Sequence, residues 1–161
     1  MEKCRINRTL GKPIILVDAD SCPVKEEIVE ISMGFGVDVF FVASYNHVKK
    51  DGTGGTWCYV DGSKEAADLF IMNHVYRGDV VVTQDTGLAS TLLSKEVYVI
   101  HPRGNLYEES DIQTALDMRY LSAKARRQGI YGKGPKPYSK DDRKRFEKNF
   151  IRILSKIEGN L

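Results

Sequence analysis

The sequence predicts an α/β fold built on a central, mostly parallel sheet, and three observations carry that reading. Strand-like and helix-like segments alternate along the chain. The first strand segment, "PIILVD", is a continuous apolar run, as expected for a strand covered on both faces. The first and last helical segments concentrate their apolar residues on one face. The 161 residues allow one domain with a sizeable core and are too few for two. A single domain over residues 1–161 is therefore expected, without internal repeats or low-complexity tracts.

The elements follow in order. After "PIILVD", the stretch "CPVKEEIVEISMGFG" places Val24, Ile28, Ile31 and Phe35 on one helical face. Pro23 suits the first turn with Ser21 or Cys22 as cap, and Gly34 and Gly36 mark the stop. "VDVFFVA" is a second strand, "HVKKDGTGGT" a polar glycine-rich loop and "WCYV" a short third strand. "SKEAADLFIMNHVYR" reads as a helix ending at Gly78, and "DVVVTQ" as the fourth strand. "GLASTLLSK" is a short helix, "VYVI" the fifth strand and "HPRGNLYEES" a loop. "DIQTALDMRYLSAKARRQ" is a long helix, followed by the irregular linker "GIYGKGPKPY". The final helix, "SKDDRKRFEKNFIRILSKI", opens with a capping-box pattern from Ser139 to Asp142 and carries a stripe of Phe146, Phe150, Ile153 and Ile157.

Three acidic residues break the apolar logic of these elements. In an open parallel sheet, ligands bind beyond the carboxyl ends of the strands, where strand order reverses. Asp18 ends the first strand and Asp85 follows the fourth. Asp68 shares its helix face with Ile71, Met72 and Val75, so it points toward the sheet. Asp20 is close enough in sequence to join them. Each has a structural alternative: Asp20 and Asp85 suit helix caps, and Asp68 suits an ion pair with Lys25 or an arginine. Together, clustered carboxylates repel one another unless a cation compensates, and hard oxygen donors suit Mg²⁺ or Mn²⁺. His47, His74 and His101 are scattered and lack ligand spacing.

Further candidates surround this edge. Lys25 could hold a phosphate, or stand as a surface lysine. Thr83 could orient water or a carboxylate. Arg103 lies just beyond the fifth strand. Arg119, three residues after Leu116 and seven after Ile112, sits close to the inner helix face for a charge and could reach the carboxylates or a phosphate. Cys22 reads as a packing residue.

Composition narrows the class. The apolar runs are far too short to span a bilayer, and the N-terminus lacks the apolar region of a secretory signal. Cys4, Cys22 and Cys58 are odd in number and form no C-x-x-C pair, which argues against a disulfide scaffold or zinc site and for a reducing cytoplasm. The net charge of +2 conceals an asymmetry. Residues 1–118 hold 11 Lys+Arg and 18 Asp+Glu, net −7; residues 119–161 hold 13 and 4, net +9. The basic helical segment at about 111–157 suggests an anion-binding surface, with a solvated face as the alternative. Lys133, Lys136 and Arg143, interleaved with Tyr131 and Tyr138, would suit RNA or another phosphate-bearing substrate.

The blocks "VDADSCPVK", "DGSKEAADLFI", "GDVVVTQDTGLAS", "HPRGNLY" and "GKGPKPYSKDDRKRF" resemble the signature blocks of the YaiI/YqxD family of small bacterial proteins, over nearly the whole chain from Ile14. That family in turn resembles the PIN-like nuclease superfamily. The resemblance implies a three-layer α/β/α sandwich of about five strands in order 3-2-1-4-5, and metal-dependent cleavage of RNA. It implies that Asp18, Asp68 and Asp85 are the catalytic acids, with Thr83 as the threonine of the T-x-D block. Gly87 departs from the pattern, standing where many PIN domains carry another acid. The enzymatic alternative is a haloacid-dehalogenase-like phosphatase using Asp18 and Asp20 as its D-x-D. A third reading is a non-catalytic RNA-binding protein on a degenerate nuclease scaffold.

Overall fold

The computed structural model describes residues 4, 6–45, 54–63, 65–132, 134 and 136–159. Its elements are β1 (Ile15–Asp18), α1 (Lys25–Phe35), β2 (Val39–Ser44), β3 (Thr56–Val60), α2 (Ala66–His74), β4 (Val80–Val82), α3 (Thr86–Leu93), β5 (Tyr98–Ile100), α4 (Glu109–Arg127) and α5 (Lys140–Gly159). The strands form one parallel sheet in the order β3-β2-β1-β4-β5. From β1 the chain steps outward through β2 and β3. It then returns past β1 to lay down β4 and β5. Strand order thus reverses between β1 and β4, where Val17 pairs with Val82.

Side-chain alternation along the strands divides the core in two. Ile15, Val17, Phe41 and Val82 face α1 and α5, packing on Ile28, Phe146, Phe150 and Leu154. Leu16, Phe40, Val42 and Val81 face the opposite layer, against Ile71 of α2, Leu88 and Leu92 of α3 and Ile112 of α4. The result is the three-layer α/β/α arrangement, and it explains why the inner strands read as unbroken apolar runs. Phe146 and Phe150 are fully buried, and each such side chain contributes about 1.5–3 kcal/mol through burial.

The ends of α5 and α1 show how local sequence sets element boundaries. At α5 the capping box forms: Ser139 N–H donates to Asp142 Oδ2 at 3.0 Å, and Asp142 N–H donates to Ser139 Oγ at 3.1 Å. At α1 the expected cap does not form. Val24 occupies the cap position without a side-chain hydrogen bond, and Pro23 precedes it. Ser21 is instead in the left-handed region, φ 67°, in a tight turn closed by Cys22 N–H to Ala19 O at 3.1 Å. The turn uses up the residues expected to cap the helix. The end of α1 falls at Gly36, as its left-handed φ requires. The helix expected over 63–77 is shorter, because Val75 is already extended.

Two long-range ties complete the frame. At the amino edge of the sheet, fully buried Asp79 pairs with Arg8 and accepts from Ile14 N–H at 3.0 Å and Tyr76 N–H at 2.8 Å. Gly104 lies against α5 so closely that a Cβ would come within 2.6 Å of the backbone of Arg145 and Phe146. Asn149 Nδ2 donates to the Gly104 carbonyl at 2.7 Å, so α5 is locked to the loop after β5.

The cysteines depart from expectation. Cys4 and Cys58 are joined by a disulfide, and Cys22 is a buried thiol. Cys58 belongs to the face of β3 against which Cys4 packs, a pairing across 54 residues that the odd cysteine count concealed. The expected polar loop lies outside the described residues over 47–53. Among the described residues, no helix is long and apolar enough to cross a membrane.

Candidate functional site

Asp18 and Thr83 stand at the carboxyl ends of neighbouring strands, on the face covered by α2 and α3. Thr83 Oγ1 donates to Asp18 Oδ2 at 3.0 Å and accepts from Asp85 N–H at 3.0 Å. One hydroxyl therefore fixes both the Asp18 carboxylate and the start of the chain's turn into α3. Asp85 Oδ1 accepts from Leu88 N–H at 3.1 Å, so Asp85 caps α3 with one carboxylate oxygen. Asp20 accepts from Ser44 N–H at 3.2 Å, tying the β1–α1 turn to the end of β2. Gln84 Nε2 donates to Ser21 O at 3.0 Å and holds that turn from the other side. Asp18, Asp20, Ser21, Gln84, Asp85 and Arg119 line an open cleft of about 440 Å³.

The electrostatics centre on Asp18. Its pKa is raised from 3.8 to about 6, first by burial and then by the charges of Asp68, Asp20 and Asp85, against the lowering effect of the Thr83 hydrogen bond. Asp68 is half-buried in the first turn of α2 and is not among the residues that line the cleft. Tyr107 braces the Thr83 backbone. Its hydroxyl donates to the Thr83 carbonyl at 3.2 Å, and burial pushes its pKa up to about 12, keeping it a donor. Gly87 faces Asp85: a Cβ there would lie 3.2 Å from Asp85 Oδ1, so a larger residue would crowd this carboxylate.

Among the described residues, no group of three His, Cys, Asp or Glu side chains could hold a metal ion as it stands. The carboxylates are therefore no closed shell of protein ligands. Their chemistry fits a hard, strongly hydrated ion such as Mg²⁺, which is held by one or two carboxylates and keeps several waters. Asp18 and Asp85, which line the same cleft, would be the donors to such an ion.

A family model described as "Uncharacterized BCR, YaiI/YqxD family" matches residues 16–156, a span holding every acidic residue of the cleft. The chain belongs to the YaiI/YqxD family. Similar proteins include UPF0178 proteins of Bacillus velezensis, 53% identical over 146 residues (90% of this chain, 87% of the relative), and of Listeria innocua, 52% identical over 135 residues (84% and 92%). A UPF0178 protein of Bacillus cytotoxicus is 49% identical over 147 residues, covering 91% of this chain and 96% of the relative. No solved structure matches.

The other candidate residues of this YaiI/YqxD chain divide into two groups. Arg119 lines the cleft with its side chain exposed. Arg103 does not: its guanidinium donates to Asp142 Oδ2 at 2.9 Å and to the Lys136 carbonyl, clamping the linker to α5. Arg143 pairs with Glu27 and lies 5.9 Å from the Tyr138 ring centre. Lys25 places its ammonium 5.7 Å from the Trp57 ring centre and is not among the cleft's lining residues. Lys136 is exposed, and Lys133 lies outside the described residues. Cys22 is buried, and burial raises its pKa to about 11, which keeps it a thiol. Tyr107 and Gln84 were not singled out from the sequence, and Ser21 was read there only as a helix cap. Tyr107 in "HPRGNLY" carried the one available signal, an aromatic residue placed just beyond a strand end.

Proposed function

We propose that this chain is a divalent-cation-dependent nuclease that hydrolyses phosphodiester bonds in RNA. The observation that carries the reading is the environment of Asp18. A strand-end carboxylate is half-buried at the strand-order reversal, held by Thr83 and repelled by the charges of three further acids, beside an open cleft. Such a site favours a cation, because neutralising Asp18 relieves both its burial and its neighbours' repulsion. Mg²⁺ or Mn²⁺ bound there would supply Lewis-acid stabilisation of the charge developing on a phosphate.

In this reading Asp18 is the main cation-binding carboxylate, Thr83 orients it, and Asp85, Asp68 and Asp20 set the local negative charge. Arg119 on the rim is positioned to meet a phosphate oxygen. The resemblance to PIN-like nucleases and the basic segment after residue 119 support an RNA substrate. Asp20's hydrogen bond with the Ser44 backbone favours a structural role over the acid–base role that a phosphatase would require. A second reading, a non-catalytic RNA-binding protein, is favoured by the lack of a three-donor group among the described residues.

The test incubates purified protein with mixed RNA and DNA in Mg²⁺ or Mn²⁺, beside Asp18→Asn and an EDTA control. Cation-dependent RNA cleavage that disappears in the variant is expected. RNA binding without cleavage in any cation selects the second reading.

A further inference from the structure

Most of α4 stands clear of the protein body. Ile112 is buried with Leu88 and Leu92 of α3. From residue 113 to the end of α4 at Arg127 no residue is buried, and none belongs to either half of the core. That stretch is about 22 Å of helix, a length that is marginal in water by itself. A helix exposed all round is normally polar all round. This one carries Leu116, Met118, Tyr120 and Leu121, which are 37%, 59%, 62% and 55% exposed. The exposed apolar side chains give α4 the form of an interface.

Spacing and charge both point to a second copy of the same helix as its partner. Met118, Leu121 and Ala125 repeat at i, i+3 and i+7, on the side of α4 turned away from Ile112. That is the spacing of a seam between two packed helices. Ala115 and Ser122 border the seam with small side chains, so a second helix can approach closely.

Charge divides at the same place. Residues 108–117 hold four acids and no base, whereas residues 118–128 hold four bases and no acid. Two such helices side by side repel when parallel. When antiparallel, each acidic half lies along the other's basic half. Asp117 and Lys124, seven residues apart, flank the seam on its other border. In an antiparallel pair that sets Met118 against the partner's Leu121, Asp117 comes level with the partner's Lys124, and the two-fold axis repeats the pair. Among the described residues, neither Asp117 nor Lys124 forms an ion pair within its own chain. Asp117 Oδ1 accepts from Gln113 Nε2 at 3.0 Å, one turn back on the same helix. Arg119, Arg126 and Arg127 lie on the side of the helix away from the seam, so pairing leaves the Arg119 wall of the cleft uncovered.

We propose that α4 is the interface of a two-fold symmetric dimer. Met118 and Leu121 pack antiparallel on their counterparts in a second copy, and two Asp117–Lys124 pairs close the seam. A seam of about two heptads buries less than the roughly 1,200 Å² of a standard stable interface, so monomer and dimer exchange with concentration. The dimer does not depend on the nuclease reading of the cleft.

The experiment measures molar mass by sedimentation equilibrium over a concentration series. It compares wild type, Leu121→Glu, Asp117→Lys, Lys124→Glu and the double variant Asp117→Lys/Lys124→Glu, with urea midpoints to establish that each is folded. Wild type should dimerise and Leu121→Glu should remain monomeric. Each single charge variant should raise the dimer Kd about tenfold or more, because symmetry places the repulsion twice. The double variant should recover wild-type affinity, since the exchanged charges again face opposite partners. An equimolar mixture of the two single variants should also dimerise, which neither does alone. A wild type that stays monomeric to its solubility limit, a Leu121→Glu that dimerises like wild type, or a double variant no tighter than the single ones overturns the proposal. RNA binding by a monomeric wild type that is lost in Leu121→Glu assigns the seam to nucleic acid and overturns it too. RNA cleavage by a monomeric wild type overturns the dimer and leaves the nuclease reading standing; a dimer that cleaves nothing does the reverse.

Discussion

Replacing Asp18 by Asn removes the ionisation that the fold opposes most strongly at the carboxyl edge of the sheet. Burial, followed by the charges of Asp68, Asp20 and Asp85, raises its pKa from 3.8 to about 6. The folded pKa lies above the unfolded one, so the stability contributed by the protonated form is complete below about pH 3.8. It is lost as pH rises to about 6. A shift of about two units corresponds to about 3 kcal/mol. Asn cannot ionise, and its side-chain oxygen can still accept from Thr83 Oγ1. In EDTA, the variant should match wild type near pH 4 and exceed it by about 3 kcal/mol at pH 7.5, or about 6–12 °C in Tm for a chain of this size. Urea denaturation of both proteins across this range checks the difference. A variant less stable than wild type at pH 7.5, or a difference independent of pH, would refute the strain that burial and like charge impose on Asp18.

Three further outcomes follow from the frame around the site. Gly104→Ala places a Cβ within 2.6 Å of the α5 backbone at a φ of 98°, so a destabilisation of at least about 3 kcal/mol is expected from its urea midpoint. Asp142 is held below the usual carboxylate range, first by the Ser139 N–H, with the Ser139 hydroxyl and Arg103 adding to it. Its contribution is therefore present at neutral pH and disappears as pH falls through its lowered pKa, and Asp142→Asn should flatten the acid limb of the stability profile. Neutralising Lys133, Lys136, Arg143 and Lys144 together should lower the log–log salt slope of RNA binding by roughly 0.7 for each phosphate left without its cation. An unchanged slope would make that segment a solvated face.

The order of strands and helices was legible because apolar runs and glycine breaks are local signals. The Ser139–Asp142 capping box was legible for the same reason. The meeting of Asp18 with Thr83, 65 residues apart, was accessible only through the rule that parallel strands deliver their carboxyl ends to one edge. Other features depend on packing that no short window contains. Arg103 was placed correctly just beyond β5, but its partner Asp142 arrives only when α5 returns across the sheet, 39 residues later. Ser21 carries no mark of its left-handed backbone, so the turn that diverts Asp20 to Ser44 was not foreseen.

The central claim is that the carboxylate edge takes up a divalent cation through Asp18. Its most direct test is calorimetric titration of Mn²⁺ into wild type, Asp18→Asn and Asp85→Asn at pH 7.5 in the absence of nucleic acid. The expected result is saturable binding by wild type, at least tenfold weaker binding by Asp18→Asn, and an intermediate weakening in Asp85→Asn, whose carboxylate is partly engaged in capping α3. Equal Mn²⁺ affinity in wild type and Asp18→Asn, or no binding by wild type, would contradict it.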